Sequence, residues 1–257
     1  MSGPLVIKIG GSTLGSTDTT FRDVAALAKA GDVPVVVHGG GAEASRWLER
    51  MNIPSKFERG LRVTDEDVLP VVVAVFAGLV NKRIVASINA AGALAVGMCG
   101  ADGRILECRL ADPAFGFVGE PERVHPAAIS ALHSAGIIPV IGPIGFVPGG
   151  PADQLVNVNA DTVAGNIAAA LGASKLVFLT DVDGVRGADG ERIAELNDQR
   201  SRALIADGTI AGGMIPKVEA CLHALALGVE VQIVDGRQDG ALTRLEGAGT
   251  IFRPTVA

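Results

Sequence analysis

Apolar residues fall in short runs separated by charged or glycine-rich turns, and their spacing alternates between two patterns. Residues 5–9 and 33–37 are continuous apolar stretches of strand length, the first interrupted by Lys8. Residues 19–30 carry Phe21, Val24, Ala25, Leu27 and Ala28 at helical spacing and stop at Gly31, which predicts a helix with a glycine C-cap. A second helix is predicted over 42–51. A long one runs from a cap at Thr64 or Asp65 to about residue 91, with Pro70 tolerated in its first turns. Residues 94–99 and 105–109 read as strands around Ala101-Asp102-Gly103, 126–135 as a helix and 137–141 as a buried strand. A Gly/Pro-rich stretch at 142–150 and Val156-Asn157-Val158-Asn159 lead into a helix of small and aliphatic residues at 160–171. Strand 176–180, helix 215–227 and strand 229–234 complete the pattern. Apolar strands alternating with helices predict an α/β fold with a mainly parallel sheet covered on both faces.

Ligands of such sheets sit at the carboxyl ends of the strands. The chemistry-bearing residues of this chain fall there. Lys8 precedes Gly10-Gly11-Ser12, Val35-Val36-Val37 runs into His38-Gly39-Gly40-Gly41, Asp181 leaves the strand at 176–180, and Lys217 follows Gly212-Gly213-Met214. Glycine lets the backbone approach an anion closely, helix starts are partly positive, and a lysine adds a charge that can follow a phosphoryl group. These parts predict an enzyme that handles phosphate.

Composition narrows the field. The chain has 257 residues, 48% of them hydrophobic, which suits one large α/β unit or two closely packed lobes. Its net charge is −6, it has no basic block, no Tyr and one Trp, so nucleic acid is not the expected partner. The longest apolar run, 70–80, ends at Asn81-Lys82-Arg83 and is shorter than a membrane span, and Met1-Ser2-Gly3-Pro4 has no signal-peptide character. The expectation is a cytoplasmic protein with no membrane partner. Cys99, Cys108 and Cys221 have no metal spacing and read as free buried thiols.

Each candidate has a plainer alternative. Lys8 could snorkel to the sheet edge, although an unpaired ammonium inside an apolar strand is costly. Lys217 could be a solvated helix lysine, and Asp161 an ordinary charge in the first turn of a helix. Arg62 could pair with Asp65 or Glu66 at the surface, or grip a carboxylate with two bonds. Asp181 and Asp183 could hold magnesium or a ribose, or simply make a good turn. His38 lacks a Ser or Cys partner pattern and reads as packed. No Walker A motif is present, and Gly39-Gly40-Gly41-Ala42-Glu43-Ala44 is only a loose match to a dinucleotide fingerprint, on the wrong strand.

Taken together, Ile7-Lys8-Ile9-Gly10-Gly11, His38-Gly39-Gly40-Gly41, Gly60-Leu61-Arg62-Val63-Thr64-Asp65, Val80-Asn81-Lys82, Asn157-Val158-Asn159-Ala160-Asp161, Asp181-Val182-Asp183-Gly184-Val185 and Gly213-Met214-Ile215-Pro216-Lys217 resemble the amino-acid kinase family, in the family's order and over nearly the whole chain. The third and fifth stretches resemble its acetylglutamate branch. The resemblance implies an open αβα sandwich, with a substrate-binding and dimerisation lobe at 1–173 and an ATP-binding lobe at 174–257. It implies transfer of the γ-phosphoryl group of ATP, with Mg²⁺ carried by the nucleotide, to the side-chain carboxylate of N-acetyl-L-glutamate in arginine biosynthesis. Lys8, Lys217 and Asp161 would be catalytic, Asp161 holding both ammonium groups. Gly40, Gly41, Arg62, Asn157 and Asn159 would bind the acceptor. Gly10, Gly11, Ser12, Thr180, Asp181, Asp183, Gly184, Gly212, Gly213 and Met214 would meet the nucleotide. No separate metal site is expected.

The alternative acceptor is a carrier-linked aminoadipate or glutamate of lysine biosynthesis, for which Gly78-Leu79-Val80-Asn81-Lys82-Arg83 and Asp102-Gly103-Arg104 have some flavour. A non-catalytic regulator on the same fold would be expected to lack one of Lys8, Asp161 or Lys217, and all three stand. Only Met1-Ser2-Gly3 is expected before the first strand, which in this family implies a homodimer that arginine does not inhibit. A nitrogen-signalling regulatory protein binds some relatives, and nothing in the residues points to one here.

Overall fold

The computed structural model describes residues 3–10, 19–149 and 152–254. In chain order it places β1 (Leu5–Ile9), α1 (Thr19–Lys29), β2 (Val35–His38), α2 (Gly41–Arg50) and a short hairpin of β3 (Phe57–Glu58) and β4 (Leu61–Arg62). A helix then runs through α3 (Val68–Val73), a π-helical stretch Ala74–Val80 and α4 (Asn81–Ala90). Next come β5 (Ala95–Cys99), β6 (Leu106–Leu110), β7 (Val118–Val124), α5 (Ala127–Ser134), β8 (Ile138–Gly142), β9 (Ile144–Val147), β10 (Gln154–Val158) and α6 (Ala160–Ala170). The last part holds β11 (Lys175–Thr180), β12 (Glu195–Leu196), α7 (Asp198–Ala206), α8 (Met214–Ala226), β13 (Val231–Asp235) and β14 (Thr250–Phe252).

Eight strands form one sheet in the order β12-β14-β13-β11-β1-β2-β8-β5. β1 sits inside it, parallel to β11 on one side and β2 on the other, and the β13–β14 pair is antiparallel. Because side chains alternate across a strand, each face takes every second residue. Val6, Val35, Val37, Leu176, Phe178, Val231 and Ile233 pack in one core with residues of α6 and α8. Ile7, Ile9, Val36, Val177, Leu179 and Val234 pack in the other, with α1, α2 and the helix over 68–90. This is the expected αβα sandwich. The two cores lie on the two faces of a sheet that continues from β1 to β11, so it crosses the expected lobe boundary at 173/174.

Some elements differ from the sequence reading. The stretch at 142–150 contains β9, and β10, β7, β6 and β9 close into a four-stranded ring. β7 reads Val-Gly-Glu-Pro-Glu-Arg-Val, and its outward charges hide the strand pattern. The long helix starts at Val68 and is capped by Asp65, whose Oδ1 accepts from the N–H groups of Asp67 (3.1 Å) and Val68 (2.9 Å). Thr64 is turned elsewhere, donating to the Arg62 carbonyl. No uninterrupted apolar run is long enough to span a membrane, yet the helix over 68–90 is long and apolar enough by average composition. Its Val68, Val71, Val72, Val75, Phe76, Val80, Ile84 and Ile88 are core residues packed against the sheet. All three cysteines are free and buried.

Candidate functional site

Three cavities follow one another along the carboxyl ends of the central strands. The first, about 140 Å³, is walled by Phe57, Leu61, Phe76, Val118, Pro143 and Val158, with polar groups from Gly39, Gly40, Gly41, Arg62, Asn157 and Asn159. All five residues expected to bind the acceptor therefore meet here. Gly40 has to be small: a Cβ there would lie 2.9 Å from the Phe76 ring, in the π-helical stretch. Gly41, the first residue of α2, lines this cavity, so the partly positive start of that helix borders it, and among the described residues no side chain caps that start.

Arg62 is the feature of this cavity that costs most to bury. It is 6% exposed, and burial pushes its guanidinium down from its ordinary value. It donates to the Gly41 carbonyl and the Ser45 hydroxyl, each at 2.8 Å, and to the Ser55 hydroxyl, and it lies over the Phe57 ring at 4.6 Å. The surface pairing with Asp65 or Glu66 does not form. Among the described residues no carboxylate neutralises Arg62, and none lines the cavity. Asn157 is held by its amide donating to Thr64 Oγ1 at 3.0 Å.

The second cavity is narrow, about 50 Å³, and is lined by Lys8, Gly10, Asp161, Phe178, Leu179, Thr180, Lys217 and Ala220. Alternation along β1 puts Lys8 on the face of Val6, toward α6, and there it forms an ion pair with Asp161. Their side chains are only 13% and 27% exposed, so this pair is shielded from water more than a surface pair would be. Asp161 is fixed because Asn159 caps α6, its Oδ1 accepting from the N–H groups of Asp161 (2.8 Å) and Thr162 (3.1 Å). Lys217, in the first turn of α8, reaches the same cavity but pairs with Asp181 at 3.7 Å. The expected double clamp by Asp161 is thus half formed: among the described residues, Asp161 pairs with Lys8 and not with Lys217.

The third cavity is larger, about 610 Å³, and open. It is lined by Asp181, Asp183, Gly184, Met214, Asp235, Arg237 and neighbours. Of the expected nucleotide contacts, Asp181, Asp183, Gly184 and Met214 line it, Gly212 and Gly213 flank Met214, and Thr180 and Gly10 line the narrow cavity before it. Gly11 and Ser12 lie outside the described residues. Asp183 pairs with Arg186 at 2.9 Å, and Asp235 takes two side-chain bonds from Arg237, both at 2.9 Å. Those bonds from Arg237 hold the Asp235 carboxyl below the usual range.

The sequence reading missed the apolar walls Phe57, Leu61, Phe76, Val118 and Pro143, and missed Arg186, Asp235 and Arg237. Wall residues carry no local signature, since they become walls only by long-range packing. The Asp235-Gly-Arg237 turn at the end of the β13 strand could have been noticed. Consecutive residues link the cavities: Asn159 and Ala160 line the first and Asp161 the second, and Thr180 lines the second and Asp181 the third.

Known proteins resemble this chain in sequence and fold. The amino acid kinase family matches residues 3–235. An acetylglutamate kinase from Parvibaculum lavamentivorans is 44% identical, covering 97% of this chain and 88% of its own. One from Ruegeria pomeroyi is 47% identical over the same shares, 97% and 88%. Among solved structures, N-acetylglutamate synthase from Neisseria gonorrhoeae, complexed with coenzyme A and N-acetyl-glutamate, superposes with a TM-score of 0.85 at 27% identity, covering 99% of this chain and 60% of that one. These likenesses favour the acetylglutamate branch over the carrier-linked alternative. With most of its length matched and the fold shared, the chain belongs to the amino acid kinase family and is a kinase.

Proposed function

We propose that this kinase transfers the γ-phosphoryl group of ATP to the side-chain carboxylate of N-acetyl-L-glutamate, giving an acyl phosphate. The observation that carries the reading is the line of three cavities with Lys8, Asp161 and Lys217 in the narrow middle one. The acceptor would occupy the cavity of Arg62 and the nucleotide the open one, so the transferring group would pass between two ammonium groups.

A side-chain carboxylate is already ionised at neutral pH, so no general base is required. The obstacle is repulsion between two anions and the charge spread over the phosphoryl oxygens in flight. Arg62 and Asn157 would hold the α-carboxylate, and Gly40 and Gly41 the reacting one. Lys8, kept in place by Asp161, and Lys217 would stabilise the moving group from opposite sides. Mg²⁺ would be held by the nucleotide phosphates, with at most Asp181 or Asp183 nearby. Magnesium would there neutralise phosphate charge.

The apolar walls and the lack of a lining carboxylate favour a neutral amide over a free ammonium at the acceptor's α-nitrogen. Burying such an ammonium unpaired would cost about 1–3 kcal/mol or more. We also place the enzyme in the cytoplasm, in arginine biosynthesis, as a homodimer. Strand β5 offers an open sheet edge with Leu94 and Val96 exposed beside it, as a second copy would require. An ADP-release assay with N-acetyl-L-glutamate, L-glutamate, N-acetyl-L-aspartate and an amine-capped aminoadipate tests the assignment. Turnover with the first alone is expected, and turnover confined to the capped aminoadipate would replace the acceptor.

A further inference from the structure

His38 is fully buried behind the glycine turn that faces the acceptor cavity, and the proposed chemistry makes no use of it. Its surroundings determine its protonation. Lys82 Nζ only donates, and it donates to Asn81 Oδ1 at 3.0 Å and to the Gly97 carbonyl at 3.0 Å. Asn81 must therefore turn its amide nitrogen the other way. That nitrogen donates toward the carbonyls of Val140 (2.9 Å) and Met98 (3.2 Å) and faces His38 Nε2 at 3.1 Å. The two carbonyls can take both protons of that amide, and an amide nitrogen accepts none, so an Nε2–H would meet no acceptor there and Nε2 is the bare nitrogen. The imidazole proton is then on Nδ1, which donates to the Gly39 carbonyl at 2.7 Å. Burial keeps the ring neutral, pushing its pKa down to about 4.

The bond to Gly39 has a geometric consequence one atom further on. The described chain has no cis peptide. In a trans peptide the C=O and the following N–H point in opposite directions. Holding the Gly39 carbonyl inward against His38 therefore turns the Gly40 N–H outward, toward the cavity that Gly39, Gly40 and Gly41 line. Among the described residues this N–H meets no backbone acceptor. The turn is also held from its other ends. The Gly39 N–H donates to the Ile9 carbonyl at 3.2 Å, and the Gly41 carbonyl accepts from Arg62 at 2.8 Å. The helix supplying Asn81 and Lys82 presses on the sheet where Gly97 has no side chain, since a Cβ there would collide with Asn81 Oδ1.

We infer that His38 is a positioning residue: in its Nδ1–H form, fixed by the Lys82–Asn81 pair, it sets the Gly39–Gly40 peptide so that the Gly40 N–H is aimed at an oxygen of the acceptor. The geometric part stands on the structure alone, while its kinetic consequence rests on the acceptor assignment proposed above. The chain has four histidines, so their ring signals can be separated in a ¹⁵N-labelled sample. Near neutral pH the His38 ring is expected to show a protonated Nδ1 and a bare Nε2. The opposite tautomer, or a charged ring, overturns the inference without reference to any substrate.

Two variants carry the test to the site. His38→Asn keeps a donor near the Nδ1 position, and His38→Gln keeps only a group near Nε2. Crystal structures should show the Gly39–Gly40 peptide unchanged in the first and turned in the second. In ADP-release assays, His38→Gln should lower kcat/KM for acetylglutamate by roughly 10²-fold, the scale of a misplaced oxyanion donor, with KM for ATP within about twofold. His38→Asn should recover most of the loss. An unturned peptide in His38→Gln, or equal losses for ATP and acceptor, would reduce His38 to a packing role. Should the wild-type enzyme not turn over acetylglutamate, the acceptor assignment fails, and the tautomer and the two structures still decide the role of His38.

Discussion

The two outer cavities handle charge in opposite ways. The acceptor cavity is small and apolar-walled, and it holds a buried guanidinium, Arg62, that no carboxylate neutralises among the described residues. The nucleotide-side cavity is larger and open, and its Asp181, Asp183 and Asp235 are each paired with a cation, Lys217, Arg186 or Arg237. On the proposed function, the first would be completed by an anion and would therefore select one. The second is nearly neutral by itself and is exposed to screening, which suits a ligand that carries its own magnesium. Between them, the Lys8–Asp161 pair is shielded on both sides. Selectivity should thus reside on the acceptor side, turnover in the middle, and the weakest individual contributions on the nucleotide side.

The sharpest way to break this ordering is in the middle cavity. Lys8→Ala, Asp161→Ala and Lys217→Ala are each expected to lower kcat by about 10²-fold or more, with smaller changes in either KM, since their charges act most on the transition state. Asp161→Ala also leaves Lys8 without its partner, so a lower unfolding midpoint should accompany its loss of activity. If Lys217→Ala retained turnover within a few-fold of wild type, the role of α8 in transfer would be lost, and with it the reading of the middle cavity.

Acid separates the two sides by stability. The folded pKa of His38 is about 4, below the ordinary value near 6.5, so between those values the unfolded chain binds a proton that the folded one refuses. Its contribution is whole above about pH 6.5 and falls by roughly 3 kcal/mol as pH drops to 4. Asp235 is lowered as well, but as a carboxylate: its contribution persists down to its ordinary 3.8 and is lost only below that. Asp23, raised chiefly by burial, works in the opposite sense to Asp235, which makes a variant comparison necessary. Urea unfolding of wild type and His38→Asn over this range should give a steeper loss for wild type. Parallel profiles would mean that His38 is not the group being titrated.

Much of this contrast was legible in the sequence and some of it was not. Buried parallel strands write themselves as Val-Val-Val or Leu-Val-Ile, and glycine turns mark their carboxyl ends, so the sandwich and the positions of Lys8 and Gly40 at strand ends were legible from spacing, whereas grouping Arg62, Asn157 and Asp161 with them rested on the family resemblance. The four-stranded ring β10-β7-β6-β9 could not, because β7 alternates glycine, glutamate and proline. The π-helical stretch that brings Phe76 against Gly40 has no distinct pattern either. Partner choice is equally hidden: Lys217 chooses Asp181, and Arg62 leaves Asp65 for two serines, because of distances set by elements far away in the chain.

Arg62→Lys probes the selective side. Lysine cannot supply a planar fork to Ser45, Ser55, the Gly41 carbonyl and a carboxylate together. KM for the acceptor should rise about tenfold while KM for ATP stays nearly constant, and added salt should change this little, because the site is buried. Equal increases in both constants would make Arg62 a structural residue holding α2 to the β3–β4 hairpin.

Arg237→Ala should give the smallest effect and the most direct contrast. Its side chain is 52% exposed, so water and salt already weaken what it does. Removing it frees the Asp235 carboxylate at the edge of the open cavity, where a negative charge would oppose the nucleotide phosphates. KM for ATP should therefore rise by about two- to threefold at low ionic strength, the scale of an exposed ion pair, and return toward wild type as salt is added. KM for the acceptor should not move, since no residue near Arg237 lines that cavity. A loss of about tenfold that resists salt would mean that Arg237 grips the nucleotide directly. The open side would then be selective in its own right, and the division of labour between the two cavities would have to be redrawn.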